Sequence, residues 1–366
     1  MSALSSLLPF EVVQALGWTL VHFLWQGVVL AFLSIALLPL CRTASDRYTA
    51  AFVTLAFMVA APVITFATIH RSGAHGLGLD TGIWRHVVDA PAAFVWMNAV
   101  VAVWIAGVAA LSIRAVGGWY VAQSLRHATT SELKHELAQR CEALARRAGI
   151  TQSIAFLQSA SAAVPMVVGW FRPAILLPVA VIARLPLYQI EALVLHELAH
   201  IRRRDAVANL FQIAAETLLF YHPAVWWVSA RMRTERENCC DDLAVAQCGD
   251  AIGYARALTA VETLRPSPRF AVAANGGVLR QRVLRLVEGT ADTNHVSVIG
   301  ALIGLLCFVG YAMAPSVSIS TRAGIPAPEN IQLVLVSGQD LAPPAMPELA
   351  LPEITLASNA RARART

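Results

Sequence analysis

The stretch Val194-Leu195-His196-Glu197-Leu198-Ala199-His200 decides how the rest of the chain is read. Residues four apart on a helix share a face, so His196 and His200 can offer ring nitrogens to one metal ion. Glu197 sits beside that pair, placed to take a proton from a water activated by the metal. Upstream, 185–195 (LPLYQIEALVL) carries apolar residues at helical spacing, which sets the motif inside a packed helix. Zinc hydrolases use three protein ligands and leave the fourth position open, so a third ligand is needed. The run ERENCCDD (235–242) offers Glu235, Glu237, Asp241 and Asp242, with Glu237 and Asp241 again four apart. Cys239 and Cys240 are alternative ligands, but adjacent helical residues diverge by roughly 100° and cannot both face one ion.

Composition places this site in a membrane protein. Of 366 residues, 57% are apolar and only 14% charged, with a mean hydropathy of +0.58. Apolar stretches near 12–38, 50–69, 92–113 and 293–315 reach the roughly 20 residues that a bilayer-crossing helix requires. The first has no Lys or Arg ahead of it and is too long for a cleaved leader. Nineteen of the 28 Lys and Arg residues fall between Trp119 and Asp292, interleaved with most of the acids. A one-sided basic stripe is therefore absent from the pattern, and nucleic-acid binding is not expected. Arg114, Arg126, Arg280, Arg282 and Arg285 flank spans three and four, and Arg42 and Arg47 occupy the first loop. That asymmetry predicts an outside N-terminus, a cytoplasmic long loop and an outside tail. The six cysteines then lie in reducing or apolar surroundings and are expected to remain unpaired.

The expected fold class is a mainly α membrane protein. Four transmembrane helices carry an α+β zinc-protease domain inserted between spans three and four. The divisions are 1–118 (three spans), 119–292 (peptidase), 293–315 (fourth span) and 316–366, a Pro- and Ala-rich tail expected to be disordered. Within the peptidase, a polar helix is expected over 131–148, capped by Thr129, Thr130 or Ser131. Strands follow at 153–158, 165–170 and 174–178, with Phe171-Arg172-Pro173 as a hairpin turn. A sheet there would give an extended peptide an edge to pair with. The apolar stretch 206–230 is long enough for a fifth crossing, but one crossing would part His196 and His200 from Glu237. The break at His222-Pro223 predicts two helices folded back instead.

Several ordered motifs now point the same way. HELAHIRRRDAVANLFQ, YHPAVWW, ERENCCDDLAVAQCGD and YARAL, preceded by VPMVVGWFRPAILLP, resemble the BlaR/MecR group of antirepressor membrane metallopeptidases over roughly 10–315. The resemblance implies a gluzincin domain with His196, His200 and Glu237 as ligands of one zinc ion, Glu197 as catalytic base and Asp241 as the carboxylate orienting a ligand histidine. It also implies cleavage of a cytoplasmic protein, a transcriptional repressor, in transmembrane signalling. The sensing members carry a penicillin-binding domain with an S-x-x-K serine after the fourth span. Lys134 is the only lysine here, so the tail holds no such motif. Ser131-Glu132-Leu133-Lys134 is read as a chance match.

Tyr221 and His222 are candidate oxyanion donors. Glu235 is expected to pair with Arg231 or Arg236 in solvent, so that Glu235→Ala changes little. Two rival readings remain: a non-catalytic zinc-binding signalling scaffold, and a membrane protease for hydrophobic or lipidated peptides. The intact Glu197 speaks against the scaffold. Expected partners are the cytoplasmic substrate, the lipid bilayer of a bacterial-type inner membrane and, as an open alternative, a second copy of the chain.

Overall fold

Three long apolar helices open the chain in the computed structural model, which describes residues 9–74, 91–127, 130–265 and 272–288. They are α1 (Phe10–Leu37), α2 (Ala44–Ala74) and α3 (Pro91–His127). Within them Phe10–Leu40, Ala44–Arg71 and Trp96–Ser124 are long and apolar enough to cross a membrane. A single 3-10 turn, Leu38–Leu40, and a few residues join the first two. Gln26 in α1 donates to Thr65 Oγ1 in α2 at 3.0 Å, so a polar group in the first span meets its neighbour helix. The expected span at 293–315 and the tail at 316–366 lie outside the described residues.

The expected capped helix at 131–148 splits in two. Residues Thr130–Glu132 form a strand, β1, and the helix α4 begins only at His135 (His135–Arg147), without a side-chain cap. The strands β2 (Ala155–Ser159), β3 (Met166–Val168) and β4 (Ala174–Pro178) match the expected ones closely. Their order is β1-β2-β4-β3, with β2 and β4 parallel and both outer pairings antiparallel. Every residue of β4 is buried, as its unbroken AILLP run requires of a central strand. After α5 (Val179–Arg184) comes α6 (Leu187–Arg203), which carries the histidine motif. Ile190, Leu193, Val194 and Leu198 of α6 share one core with Phe156, Ile175 and Leu177 of the sheet.

Beyond α6 the chain folds back, as the His222-Pro223 break suggested. Helix α7 (Asp205–Leu218) is followed by α8 (Pro223–Cys248), α9 (Ala251–Leu264) and α10 (Val272–Glu288). Gln212 of α7 donates to the Ser229 carbonyl at 2.9 Å across the hairpin, and Glu216 takes Ser229 and Arg233 of α8. The hairpin packs on the first two spans: Phe23, Leu30, Leu55 and Met58 share a core with Ala215, Leu219, Val225 and Val228. Its tip reaches Leu20 and Leu24, on the order of 20 Å back from the end of α1 at 1.5 Å per residue. Backbone at that depth has to be satisfied by protein. Trp104 of α3 accordingly donates to the Leu218 carbonyl at 2.8 Å, and Trp226 to that of Phe220. The spans meet the tip with glycines. A Cβ at Gly27 would lie 2.6 Å from His222 Nε2, and one at Gly107 2.2 Å from the Phe220 ring.

Glu235 does not sit in solvent. It is 2% exposed, with Arg47 of α2 at 3.0 Å, Arg231 at 3.6 Å and the Asn238 amide donating at 3.0 Å. The Arg231 pairing is as expected; the surroundings are not. Two positions around α8 from Glu237 proves to be the face that docks on α2, so this carboxylate ties α8 to the first turn of α2. The expectation of a silent Glu235→Ala is therefore replaced. Arg47→Ala strands a buried carboxylate and should lower stability by about 3 kcal/mol, the low end for a broken buried pair because Arg231 remains. Chemical unfolding of the purified variant, with Arg236→Ala as the control, measures it. A loss under about 0.5 kcal/mol would mean that the pair is ornamental.

Candidate metal centre

The histidine helix ends abruptly. Arg204 adopts the left-handed conformation (φ 56°), the only described non-glycine residue to do so, and α7 starts at the next residue. That turn swings Asp205 back beneath the motif, where its Oδ2 lies 2.8 Å from His200 Nδ1. A carboxylate only accepts, so Nδ1 carries the proton and Nε2 keeps its lone pair for a metal.

His196 is prepared the same way from another helix. Tyr254 of α9 donates its hydroxyl proton to Asp241 Oδ1 at 2.6 Å, which leaves the phenol oxygen to accept from His196 Nδ1 at 2.8 Å. Asp241 Oδ1 itself stands 3.2 Å from that nitrogen. Fully buried Asp241 is held by both arms of Arg282 in α10, Nε to Oδ2 at 2.8 Å and Nη2 to Oδ1 at 2.6 Å. Burial alone would raise the Asp241 pKa, but Arg282 and His196 hold it far below the usual carboxylate range.

Both free Nε2 atoms then converge on Glu237 of α8. Its Oε2 lies 3.5 Å from His196 Nε2 and its Oε1 3.9 Å from His200 Nε2. The imidazole rings are nearly perpendicular, with centroids 4.9 Å apart. Burial opposes ionisation of Glu237, yet the hydrogen bond to His196 and the charges of His200 and Arg282 lower its pKa to about 2. Burial likewise opposes protonation of His196, but Asp241 and Glu237 outweigh it and raise its pKa to about 9. A cation at Nε2 would take the place of that proton.

The donor set fits zinc. One atom each from His196, His200 and Glu237 lie within 4.8 Å of one another. Tetrahedral zinc with bonds of about 2.0–2.2 Å sets its ligand atoms about 3.3–3.6 Å apart, so a small adjustment closes the site. Glu197, one residue from His196, is buried. Among the described residues no hydrogen bond or ion pair engages its carboxylate.

The cysteine alternative fares worse. Cys240 Sγ lies 3.3 Å from His200 Nδ1 and 3.4 Å from Asp205 Oδ2, on the proton-bearing side of the ring. Burial and the Asp205 carboxylate push its thiol well up, so it is a neutral group packed on the pair. Burial raises the Cys239 thiol to about 11 as well.

Tyr221 and His222, expected as oxyanion donors, are engaged elsewhere. The Tyr221 hydroxyl donates to the Leu20 carbonyl at 3.2 Å. His222 caps α8 by accepting from Ala224 N with Nδ1, and its Nε2 donates to the Leu24 carbonyl at 3.0 Å. Both of its ring nitrogens are used at the hairpin tip, and both residues pack on Phe23 of the first span. Their polar atoms are thus committed to helix seating.

Asp205, Tyr254 and Arg282 complete the site without having been singled out in the sequence. Asp205 had a visible signal, an acid five residues beyond His200 at the end of the helix. Tyr254 opens the quoted YARAL motif but no role was attached to it, and Arg282 was read only as a charge flanking a span; both arrive from further helices.

The chain is similar to known proteins. The sequence profile of the family described as BlaR1 peptidase M56 matches residues 7–286. Regulatory protein BlaR1 of Bacillus licheniformis is 34% identical over 77 residues, 21% of this chain and 13% of that protein. The methicillin resistance mecR1 proteins of Staphylococcus aureus (strain Mu50) and Staphylococcus epidermidis are 30% identical over 77 residues, again 21% and 13% of the respective lengths. The matched segment thus spans about an eighth of each curated relative.

If Asp205 and Asp241 orient the ligand histidines, Asp205→Ala and Asp241→Ala should each weaken metal affinity about 10–100-fold, and Tyr254→Phe by less. Glu237→Ala should strip the metal altogether. Competition titration with a chromophoric zinc chelator reads all four. Unchanged affinity in Asp205→Ala would remove it from the site.

Proposed function

The chain belongs to the BlaR1 peptidase M56 family, and from that premise we propose that it is an integral-membrane zinc metalloendopeptidase that cleaves a cytoplasmic protein in transmembrane signalling. One observation carries the reading: two histidine Nε2 atoms and a Glu237 carboxylate converge while an independent carboxylate backs each ring. Such backing is wasted on a structural ion pair but suits a metal-ligand set.

In this reading His196, His200 and Glu237 hold one zinc ion, which supplies Lewis acidity and lowers the pKa of water. Glu197 takes the proton of the attacking water as the scissile carbonyl is struck, then hands it to the departing amine. Asp205 and the Tyr254–Asp241 pair fix the tautomer and aim of the two rings. Arg282 keeps Asp241 ionised inside the fold. The substrate would lie extended along the sheet, where β3 is an edge strand. A DNA-binding repressor is the substrate class that the resemblance to BlaR/MecR proteins favours.

Glu197→Gln should retain zinc and lose cleavage, since a general base contributes about 10²–10⁴-fold. Comparing proteomes of cells expressing the wild type and this variant should reveal the substrate as the protein whose fragments vanish. Wild-type turnover by the zinc-loaded variant would sink the peptidase reading.

The arginines flanking the spans favour a cytoplasmic peptidase by the positive-inside tendency. A reporter fused at Ser267 should accordingly register in the cytoplasm. An external signal would redirect the substrate class to envelope proteins.

A further inference from the structure

Behind the metal-binding face of α8 lies a second feature that peptide hydrolysis does not use. A cavity of about 620 Å³ opens where the end of α1 meets α8 and α10. Among the described residues its charged lining is mostly basic: Arg47, Arg231, Arg282 and Arg285 face it with one acid, Glu235, while Arg282 is held from behind by Asp241 and Glu237. That acid is already shared between Arg47 and Arg231. Arg285 uses Nη2 on the Asn238 carbonyl at 2.8 Å and on Asp242 at 2.7 Å. Its Nε and Nη1 are buried without a hydrogen-bond acceptor in the described structure. Buried guanidinium donors without an acceptor are costly, and a turn of the Arg285 fork toward the cavity that the rest of its side chain lines would let an anion complete them.

The cavity is also placed at a definite depth. Leu38 and Pro39 of its wall end the first span and Cys41 opens the short link to the second, a place that marks a membrane boundary whichever way the protein is oriented. Trp227, half-exposed, forms another wall, as aromatic rings do at that level. From the mouth an apolar stripe runs away along α1. Val28, Phe32 and Ile35 are exposed at spacings of four and three, hence on one face, and Ile35 lines the cavity itself. Basic donors at headgroup depth thus continue into a lipid-facing groove.

We propose that this cavity binds the phosphate-bearing headgroup of an anionic membrane phospholipid, whose acyl chain lies along Val28, Phe32 and Ile35. Arg231 and Arg285 supply the phosphate contacts, and Trp227 shields them. Bidentate guanidinium geometry suits a phosphodiester. The size falls within the range of small-ligand sites. A free acidic peptide would satisfy the arginines but would leave the apolar stripe unused. Glu235 is about 200° around α8 from Glu237, so the ligand would sit behind the proposed catalytic face, with Arg282 as the partition. The proposal does not depend on peptide cleavage.

The full chain, purified and delipidated in a neutral detergent, can be titrated with short-chain phosphatidylglycerol, phosphatidylcholine, inorganic phosphate and an oligoglutamate peptide while thermal unfolding is followed. Phosphatidylglycerol should raise Tm saturably and survive as a one-to-one adduct in native mass spectrometry; the other three should not. Arg231→Gln combined with Arg285→Gln should weaken the effect at least tenfold, and Ile35→Ser should weaken it while leaving the preference for an anionic headgroup. Equal shifts from phosphatidylcholine, or full shifts from phosphate or oligoglutamate alone, overturn the proposal. So does an unchanged response in the double variant. Should that variant fail to fold, the four ligand arms on the wild type and the Ile35→Ser variant still decide it.

Discussion

Two imidazoles one helical turn apart face the same way only if something behind each ring holds it there. Left to itself, a histidine on α6 would rotate about its side-chain bonds and lose its aim at Glu237. The protein supplies the restraint from opposite directions: Asp205 from the turn that ends α6, and the Tyr254–Asp241 pair from α8 and α9. The rest of the peptidase follows from that need. The turn must be sharp, hence the left-handed Arg204. Helices α8 and α9 must pack on α6, hence the core shared by Leu195, Leu198, Ala244, Tyr254 and Ala257. A buried Asp241 must stay charged, which calls for an arginine with both arms on it.

The same helix α8 also answers to the membrane. Its first turns lie with α7 against the spans, and its later turns carry Glu237 and Asp241. A polar hairpin tip among apolar helices is tolerable only when every donor finds an acceptor, and Tyr221, His222, Trp104 and Trp226 all do so through backbone carbonyls. Farther along, Glu235 takes Arg47 from the start of the second span. Helix α8 is therefore one rigid element fixed to the spans at two levels while bearing a ligand of the proposed metal. A shift of the spans against the peptidase would have to move the carboxylate that the two histidines share.

How much of this was legible in the sequence divides by range. His196, Glu197 and His200 are readable because helical periodicity is local, and the fold-back at His222-Pro223 because proline breaks a helix in a known way. Three of the four strands are visible as apolar runs between turn residues. The strand β1 is not: Thr130–Glu132 is short, largely exposed and polar, and it is a strand only because β2 pairs with it. The roles of Tyr254 and Arg282 escaped notice for a related reason. Their roles are set by helix packing across 13 and 41 residues from Asp241, and no spacing rule encodes that. Glu235 misled because a carboxylate off the metal-facing side of a helix usually faces water; here that side meets α2. Tyr221 and His222 misled because aromatic donors near a metal motif in sequence were taken as near it in space.

Arg282 is where these strands of argument join. It keeps Asp241 ionised, stands 3.5 Å from Glu237 and lines the cavity at the membrane boundary. The helix that carries it, α10, packs on α9 and reaches the main core through Leu286, but its ion pairs to α8 run through Arg282 and Arg285 alone among the described residues. Two guanidinium groups are strong but geometrically exacting tethers, since a shift of about 1 Å lengthens several charge-assisted hydrogen bonds together. If α10 withdrew, Asp241 would remain buried beside His196 without its countercharge, and its hold on the imidazole would change with it. An arginine in this position makes the metal site sensitive to where α10 sits, whereas an apolar residue of equal size would have left the two independent.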